Sequence, residues 1–458
     1  MLKELKNLKK FHFVGIGGAG MSPLAKILLE MGYEVTGSDR SKSPLTDTLE
    51  KLGAKIFVGQ DAENVRGADA IVVSSAIPYD NPEVLAAGQL KIPKLHRSDI
   101  NAALVNEYKG IAVAGAHGKT TTTAMLAVAL DTLKKSPSFV IGGEAPDVGT
   151  NAKLGQSEYL VSEADESDGS FLKLKPYIAV VTNVENDHMD HYGTMDNIRA
   201  AFQNFIGNVR EGGWAVLCFD NENLRNIAAK TTGKFYSYAV EHEADYRAVN
   251  IVPNESGTTF DVAQGDKILG RVRLNIPGKH NVLDALAVIV TGLTLGIGVP
   301  EMAEGLAKFH GAKRRFQTKG KVAGVWVVDD YAHHPTEIAT TLTAARQTNP
   351  ARLICVFQPH RYSRTKLLRE EFGRAFKAAD LVVLTDVYGA GEKPIEGISG
   401  ETIRKEIDKQ TGQEVKYLQD KNDLATYLKE ISRPGDLIIT MGAGDIYKVG
   451  EELVSLMS

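Results

Sequence analysis

The chain has 458 residues, 43% of them hydrophobic and 24% charged, with a formal net charge of −4. That length suits about three domains, and so small a charge argues against a nucleic-acid-binding surface. The two cysteines, Cys218 and Cys355, rule out a disulfide framework or a cysteine-rich metal site. No run reaches the roughly 18 apolar residues of a membrane span, so a cytoplasmic enzyme without membrane insertion is expected.

Apolar, strand-like runs occur at residues 11–16, 71–73, 111–114, 159–161, 178–181, 325–328, 353–357, 381–384 and 437–440, with helical patterns between most of them. Such alternation predicts an α/β protein of parallel sheets covered by helices. Strand-then-loop restarts at Gly15, Gly115 and Asp329 divide it into three domains, at 1–107, 108–314 and 315–458. The first and last are Rossmann-like. The central one, where a strand runs into the glycine turn at 115–118 and then Lys119-Thr120, is expected to be a P-loop-type ATPase domain carrying a small antiparallel sheet at 235–276, where Asn254-Glu255-Ser256-Gly257 reads as a turn.

The first strand runs into Val14-Gly15-Ile16-Gly17-Gly18-Ala19-Gly20, and the second ends at Asp39, nineteen residues after Gly20. Glycines at Gly15, Gly17 and Gly20 let backbone N–H groups approach a pyrophosphate, and an acid at Asp39 suits a ribose. That chemistry identifies a diphosphate better than it identifies NAD; a UDP-sugar fits equally. Ser74 and Ser75, after the 71–73 strand, and the helix start Asn81-Pro82-Glu83 are expected to line the same crevice.

The 111–114 strand leads into Gly115-Ala116-His117-Gly118-Lys119-Thr120-Thr121-Thr122 and then a helix. Strand, glycine turn, Lys-Thr and helix make a phosphate cradle, although Gly-x-x-Gly-Lys-Thr is shorter than the strict Walker A spacing. Lys119 is placed to reach the β and γ oxygens of ATP, and Thr120 to ligate Mg²⁺. Gly115, His117, Gly118 and Thr121 complete the loop.

Three polar clusters follow. Ser162-Glu163-Ala164-Asp165-Glu166-Ser167-Asp168 places acids at a strand end, and Glu163, nearest the strand, is the candidate Mg²⁺ ligand. Asn183-Val184-Glu185-Asn186-Asp187-His188-Met189-Asp190-His191 suits phosphate and metal contacts; a transition-metal site there has no further His/Cys cluster to complete it. In Pro277-Gly278-Lys279-His280-Asn281 the Asn281 side chain either caps the next helix or meets an adenine edge.

In the last third, Asp329-Asp330-Tyr331-Ala332-His333-His334-Pro335-Thr336-Glu337 and Gln358-Pro359-His360-Arg361-Tyr362-Ser363-Arg364 each follow a strand. Arg361 and Arg364, three apart, are expected on one helical face, where they can fork a carboxylate. At the domain junction, one arginine of Arg314-Arg315 is expected to reach the γ-phosphate.

Taken together, GAHGKTTT, EADESD, NVENDHMDH and PGKHN, in that order, resemble the Mur ligase family over essentially the whole chain. The resemblance implies ATP-dependent amide-bond formation in peptidoglycan synthesis. HFVGIGGAGMS, DDYAHHPTE and FQPHRYSRT narrow it to the branch that adds L-alanine to UDP-N-acetylmuramate. On that resemblance Gly15, Gly17, Gly18, Gly20 and Asp39 bind UDP-N-acetylmuramate. Thr120 and Glu163 hold Mg²⁺, which Mn²⁺ can replace, and His188 serves a second metal. His280 and Asn281 face adenine, with Arg315 and Asp330 also toward ATP. Tyr331 and His333 join the arginines around L-alanine. Lys119, His188, Arg314 and His333 carry the catalytic burden, His333 as an aid to the incoming amine. A monomer or weak homodimer is expected.

Two positions depart from the family pattern. Ala116 stands where a threonine is usual, and Phe202 stands where several relatives carry a carbamylated lysine, a residue the alanine-adding branch also lacks. Three rival readings remain: a nicotinamide-dependent dehydrogenase, suggested by the Gly15 to Asp39 pattern; a non-catalytic nucleotide-binding module; and the ligase that attaches a recycled tripeptide to the same sugar nucleotide.

Overall fold

The structure, a computed structural model, describes residues 2–254 and 257–458, the side chain of Asp190 excepted. The turn read at Asn254-Glu255-Ser256-Gly257 therefore falls partly outside the described residues. Contacts divide the chain into two compact units. One is Met1–Val249 with Asp261–Val272 and Leu283–Phe309; the other is Asn250–Phe260 with Arg273–Val282 and His310–Ser458.

The first unit opens with a five-stranded sheet in the order Lys55–Val58, Glu34–Asp39, Lys10–Val14, Ala70–Val73, Lys94–His96. All its pairings are parallel. The central strands are buried along almost their whole length, as parallel strands covered on both faces must be. Val14, Ile71 and Val73 pack with Val65, Ala86 and Ala87 under the helix Pro82–Gln89.

A polar network crosses this core. His12 Nδ1 and Thr36 Oγ1 lie 2.8 Å apart, and Glu83 accepts from Ser38 Oγ at 2.6 Å and from Asn64 Nδ2 at 2.7 Å. Burial pushes the Glu83 carboxyl up, but hydrogen bonds from His12, Ser38 and Asn64 outweigh it and hold the group below its ordinary value. Glu83 was expected to line the crevice; instead it is wholly buried. Asn81 is buried beside it and caps the helix, its Oδ1 accepting the Glu83 N–H at 2.9 Å.

The second sheet has ten strands. From one edge they are Lys267–Leu274, Gly257–Gln264, Tyr246–Asn254, Phe235–Ala239, Trp214–Cys218, Ile178–Val181, Lys109–Ala114, Tyr159–Glu163, Ser138–Ala145 and Thr150–Lys153. The 235–276 segment is thus no separate antiparallel sheet. Phe235–Ala239 pairs parallel with Trp214–Cys218, and Tyr246 and Arg247 pair parallel with Tyr238 and Ala239. A pairing only two residues long carries the sheet onward, and alternating polarity in the sequence gives no hint of it.

The second unit contains a six-stranded sheet in the order Gln317–Val322, Val325–Asp330, Asp436–Met441, Arg352–Phe357, Leu381–Leu384, Val415–Tyr417. All pairings are parallel except the first. Its two faces carry separate cores. One is built on Ile338, Leu342, Phe372, Phe376 and Ile403, the other on Leu424, Leu428, Val449 and Leu453. The loops at the carboxyl ends of the strands are therefore left for binding.

Candidate active site

The strand Lys109–Ala114 lies mid-sheet, between Ile178–Val181 and Tyr159–Glu163. Three loops therefore emerge side by side: the phosphate loop, the acidic loop and the Asn183–His188 loop. Gly115 has φ +137°, and a Cβ there would stand 2.1 Å from Thr182 Oγ1, so only glycine fits. Gly118, at φ +86°, turns the chain into the helix Lys119–Thr132. That helix is buried from Thr121 to Leu130, so Thr121 belongs to the core more than to the loop. The N–H groups of its first turn lack intrahelical partners and, with the helix dipole, form a seat for phosphate.

The loop is gripped from behind. The His117 N–H donates to Asn183 Oδ1 at 2.9 Å, and the His117 carbonyl accepts from Thr182 Oγ1 at 2.6 Å and Asn183 Nδ2 at 3.0 Å. His117 Nε2 lies 3.4 Å from Glu185. Lys119 Nζ donates to the Gly115 carbonyl at 2.5 Å and to Glu166 Oε1 at 2.7 Å, with the Ala116 carbonyl at 3.4 Å. Burial works against its charge, but Glu166, with Asp165 and Glu163 behind it, outweighs burial and raises the lysine above its ordinary value.

Glu163 stands at its strand end as expected, its Oε1 accepting the Gly142 N–H at 2.7 Å. The acid paired with the lysine is Glu166, which the sequence did not single out. His188 sits at φ +57°, its Nε2 3.6 Å from Glu166 and 3.5 Å from Asp187. Burial lowers its pKa, but Glu166 and Asp187 together raise it above the ordinary value. Among the described residues no group of three His, Cys, Asp or Glu side chains is arranged to hold a metal ion. Thr120 and Glu163 offer hydroxyl and carboxylate oxygens, the donor chemistry Mg²⁺ prefers, and the His188 imidazole suits that ion less well. One further oxygen, Glu166 Oε2, is buried without a hydrogen-bond partner. Phe202 is buried in an aromatic cluster, its ring 5.2 Å from that of Phe171.

At the glycine loop of the first sheet, the N–H groups of Gly15 and Ile16 donate to the Ser38 carbonyl at 2.8 and 2.9 Å. The Gly17 N–H donates to Asp39 Oδ2 at 2.8 Å. Asp39 therefore holds the loop itself. Gly18 closes the turn, its N–H on the Gly15 carbonyl at 3.1 Å. Ser74 is half-buried and Ser75 exposed just past Ala70–Val73. Sequence reasoning missed Arg97. Its guanidinium lies 3.2 Å from where a Cβ on Gly20 would stand, and it forms an ion pair with Asp165. It thus joins the glycine loop to the acidic loop. Burial pushes Asp165 up, but Arg97 beside it holds the carboxyl well below the usual range. Only the fold brings these residues together.

In the second unit, Arg314 is engaged through all three of its guanidinium nitrogens. Its Nε donates to Asp329 at 3.0 Å, Nη1 to the Gly444 carbonyl at 2.9 Å and Nη2 to the Gly442 carbonyl at 2.5 Å. Its guanidinium also lies over the rings of Tyr331 and Tyr447. This commits Arg314 to fastening the loop after Asp436–Met441. Arg315 bears on His280, which burial and that charge push down to about 4. It also bears on Asp330, which burial pushes up to about 6 against the pull of Arg315. Asp330 accepts the N–H groups of Phe316 and Ala332. Asn281 does not cap its helix. It is the third residue of Lys279–Thr294, and its Nδ2 donates back to the Pro277 carbonyl at 2.6 Å.

Four aromatic or imidazole rings form a chain here: Tyr331 to His333 at 5.4 Å, His333 to His360 at 5.7 Å, and His360 to Tyr388 at 5.8 Å. Arg364 Nη1 lies 3.3 Å from His360 Nδ1. Arg361 is not in the helix with Arg364. It precedes Tyr362–Leu367 at φ +71°, so the one-face expectation fails, although both guanidinium groups bear on His360. Burial pushes His333 down to about 4, which makes it a poor base for an ammonium group near neutrality. Its Nδ1 lies 3.1 Å from the Tyr331 carbonyl.

These features are matched across known proteins. Residues 10–109 match the Mur ligase family catalytic domain, 113–292 the Mur ligase middle domain and 314–444 the Mur ligase glutamate ligase domain. The chain belongs to the Mur ligase family and is an ATP-dependent ligase. It is 50% identical over 444 residues to the UDP-N-acetylmuramate–L-alanine ligase of Pelotomaculum thermopropionicum, covering 97% of this chain and 96% of that one. It is 49% identical to the protein of that name from Geotalea uraniireducens, over 98% of each. Among solved structures it resembles the UDP-N-acetylmuramate-alanine ligase MurC of Thermotoga maritima, at TM-score 0.83 and 30% identity over 98% of both chains. A murein peptide ligase from Psychrobacter arcticus matches at 0.74 and 25%, again over 98% of both. Family membership removes the dehydrogenase and non-catalytic readings. Among the described residues no helix is long and apolar enough to cross a membrane.

Proposed function

We propose that this chain joins L-alanine to the lactyl carboxylate of UDP-N-acetylmuramate, driven by ATP. The observation that carries the reading is 50% identity, across nearly the whole of both chains, to a relative named for that reaction. The domains do this as 1–107 for the sugar nucleotide, 108–314 for ATP and 315–458 for the amino acid.

A carboxylate oxygen of the lactyl group attacks the γ-phosphorus and ADP leaves, giving an acyl phosphate. The amine of L-alanine attacks the acyl carbon, phosphate departs with the bridging oxygen, and the amine's proton passes to solvent. The protein's part is positioning and charge neutralisation. Gly115, Gly118 and Lys119 take the phosphates. Thr120 and Glu163 would hold Mg²⁺, which when bound would offset the negative charge of the phosphate oxygens, with His188 alongside. Gly15, Gly17, Gly18 and Gly20 seat the UDP diphosphate, with Arg97 as a nearby cation. Arg361 and Arg364 fork the alanine carboxylate beside neutral His333 and Tyr331. Arg315, more than Arg314, meets the nucleotide.

The test is phosphate release from ATP with UDP-N-acetylmuramate, with and without L-alanine, and mass detection of the product. Release that needs both, with a product gaining one alanyl unit, is expected. Turnover with a tripeptide but not with L-alanine would place the chain in the recycling branch.

A further inference from the structure

Glu166 faces Lys119 and His188 at once. Its Oε1 lies 2.7 Å from Lys119 Nζ and 3.6 Å from His188 Nε2, and its side chain is 4% exposed. Its backbone is pinned, the carbonyl accepting from Tyr192 Oη at 2.5 Å and from the Gly169 N–H at 3.0 Å. Oε2 is buried with no hydrogen-bond partner. An ammonium has three donors, and Lys119 directs them to Gly115, Ala116 and Glu166. It can reach a phosphate only by giving one up. The two carbonyls belong to a loop braced by Thr182 and Asn183. The carboxylate is the exchangeable partner, and it carries the same charge as the phosphate that would replace it.

We propose that Glu166 is a positioning residue, a stand-in anion that holds Lys119 in place before nucleotide binds and then yields it to the phosphates while remaining beside His188. This rests on the ATP reading of the same loop. Nucleotide affinity is then a difference between two lysine pairings, reduced further by repulsion between carboxylate and phosphate. The isosteric Glu166→Gln removes the competitor and keeps the shape. Once the lysine has moved, the loss shows instead in the placement of His188 for the chemical step.

The experiment is calorimetric titration of ADP, with metal chelated, into the wild type, Glu166→Gln, Lys119→Met and the double variant, alongside steady-state kinetics. Glu166→Gln is expected to bind ADP about tenfold tighter, the scale of one charged hydrogen bond released. That gain should vanish in the Lys119→Met background, and kcat should fall without a rise in KM for ATP. Affinity equal to or weaker than wild type in a variant of unchanged melting temperature would overturn the inference. So would the same gain without Lys119, because it would be a general charge effect. A wild type that binds no ADP would overturn the ATP reading, and the inference with it. If the glutamine variant fails to fold, Glu166→Asp, which withdraws the carboxylate from the lysine, is expected to give a smaller gain of about twofold to threefold; no gain overturns the inference.

Discussion

Asn183 grips the phosphate loop at His117 from both sides, accepting its N–H at 2.9 Å and donating to its carbonyl at 3.0 Å. The residue lies in a different loop, just past the strand Ile178–Val181, so the sheet aligns one loop to brace the other. Asn183→Ala removes both bonds. The expected result is a rise of about tenfold in KM for ATP, the equivalent of ~1.4 kcal/mol, with KM for L-alanine unchanged. An unchanged KM for ATP would mean that the loop holds its shape without Asn183.

Arg364 stands beside His360 in the second unit, at 3.3 Å. Replacing it with Met is expected to raise KM for L-alanine by about a hundredfold, the scale of a charged bidentate contact. Nucleotide binding, read by titration with ADP, should be untouched. A matched loss of ADP affinity would show that Arg364 serves the nucleotide.

Three histidines of the second unit are held neutral: His280 and His333 at about 4, and His360 at about 3, against an ordinary 6.5. Below 6.5 the unfolded chain binds protons that the folded chain refuses, so stability is full above 6.5 and is lost as pH falls toward 4. The full shifts of His280 and His333 are each worth ~3 kcal/mol; His333 bears on His360, so the contributions of that pair do not add. Asp330, pushed up to about 6, acts in the opposite direction between about pH 6 and 4 and offsets part of the loss. Melting temperature is expected to decline from pH 7 to 4.5, and His360→Gln to flatten that decline. An unchanged slope in the variant would remove His360 from the account.

Phe202 packs in the cluster with Phe171 and Phe205. Phe202→Ala is expected to destabilise the protein by about 3–5 kcal/mol, read from urea unfolding, while kcat measured well below the melting temperature stays close to wild type. A selective loss of kcat at unchanged stability would give this position a role in the chemistry.

The parallel sheets, the phosphate loop and the acids at strand ends were legible in the sequence because each is a local pattern: apolar runs, glycine spacing, polar residues just past a strand. What was not legible depends on neighbours distant along the chain. Glu166, not Glu163, meets Lys119, and no motif encodes which of four acids in one loop turns inward. Arg97 reaches Asp165 across 68 positions. Arg314 was a candidate for the γ-phosphate, but it donates to the carbonyls of Gly442 and Gly444, 128 and 130 positions away. Glu83 looked like a crevice residue, but it is buried against Ser38 and Asn64, both distant along the chain. The strand continuing past Phe235–Ala239 depends on two residue pairs.

The central claim is that the substrate carboxylate is phosphorylated before the amine attacks. UDP-N-acetylmuramate carrying ¹⁸O in its lactyl carboxylate, turned over with ATP and L-alanine, tests it directly by mass analysis of the released phosphate. One labelled oxygen per phosphate, with the other retained in the amide, is the predicted result. Unlabelled phosphate would contradict an acyl phosphate and the roles assigned around Lys119.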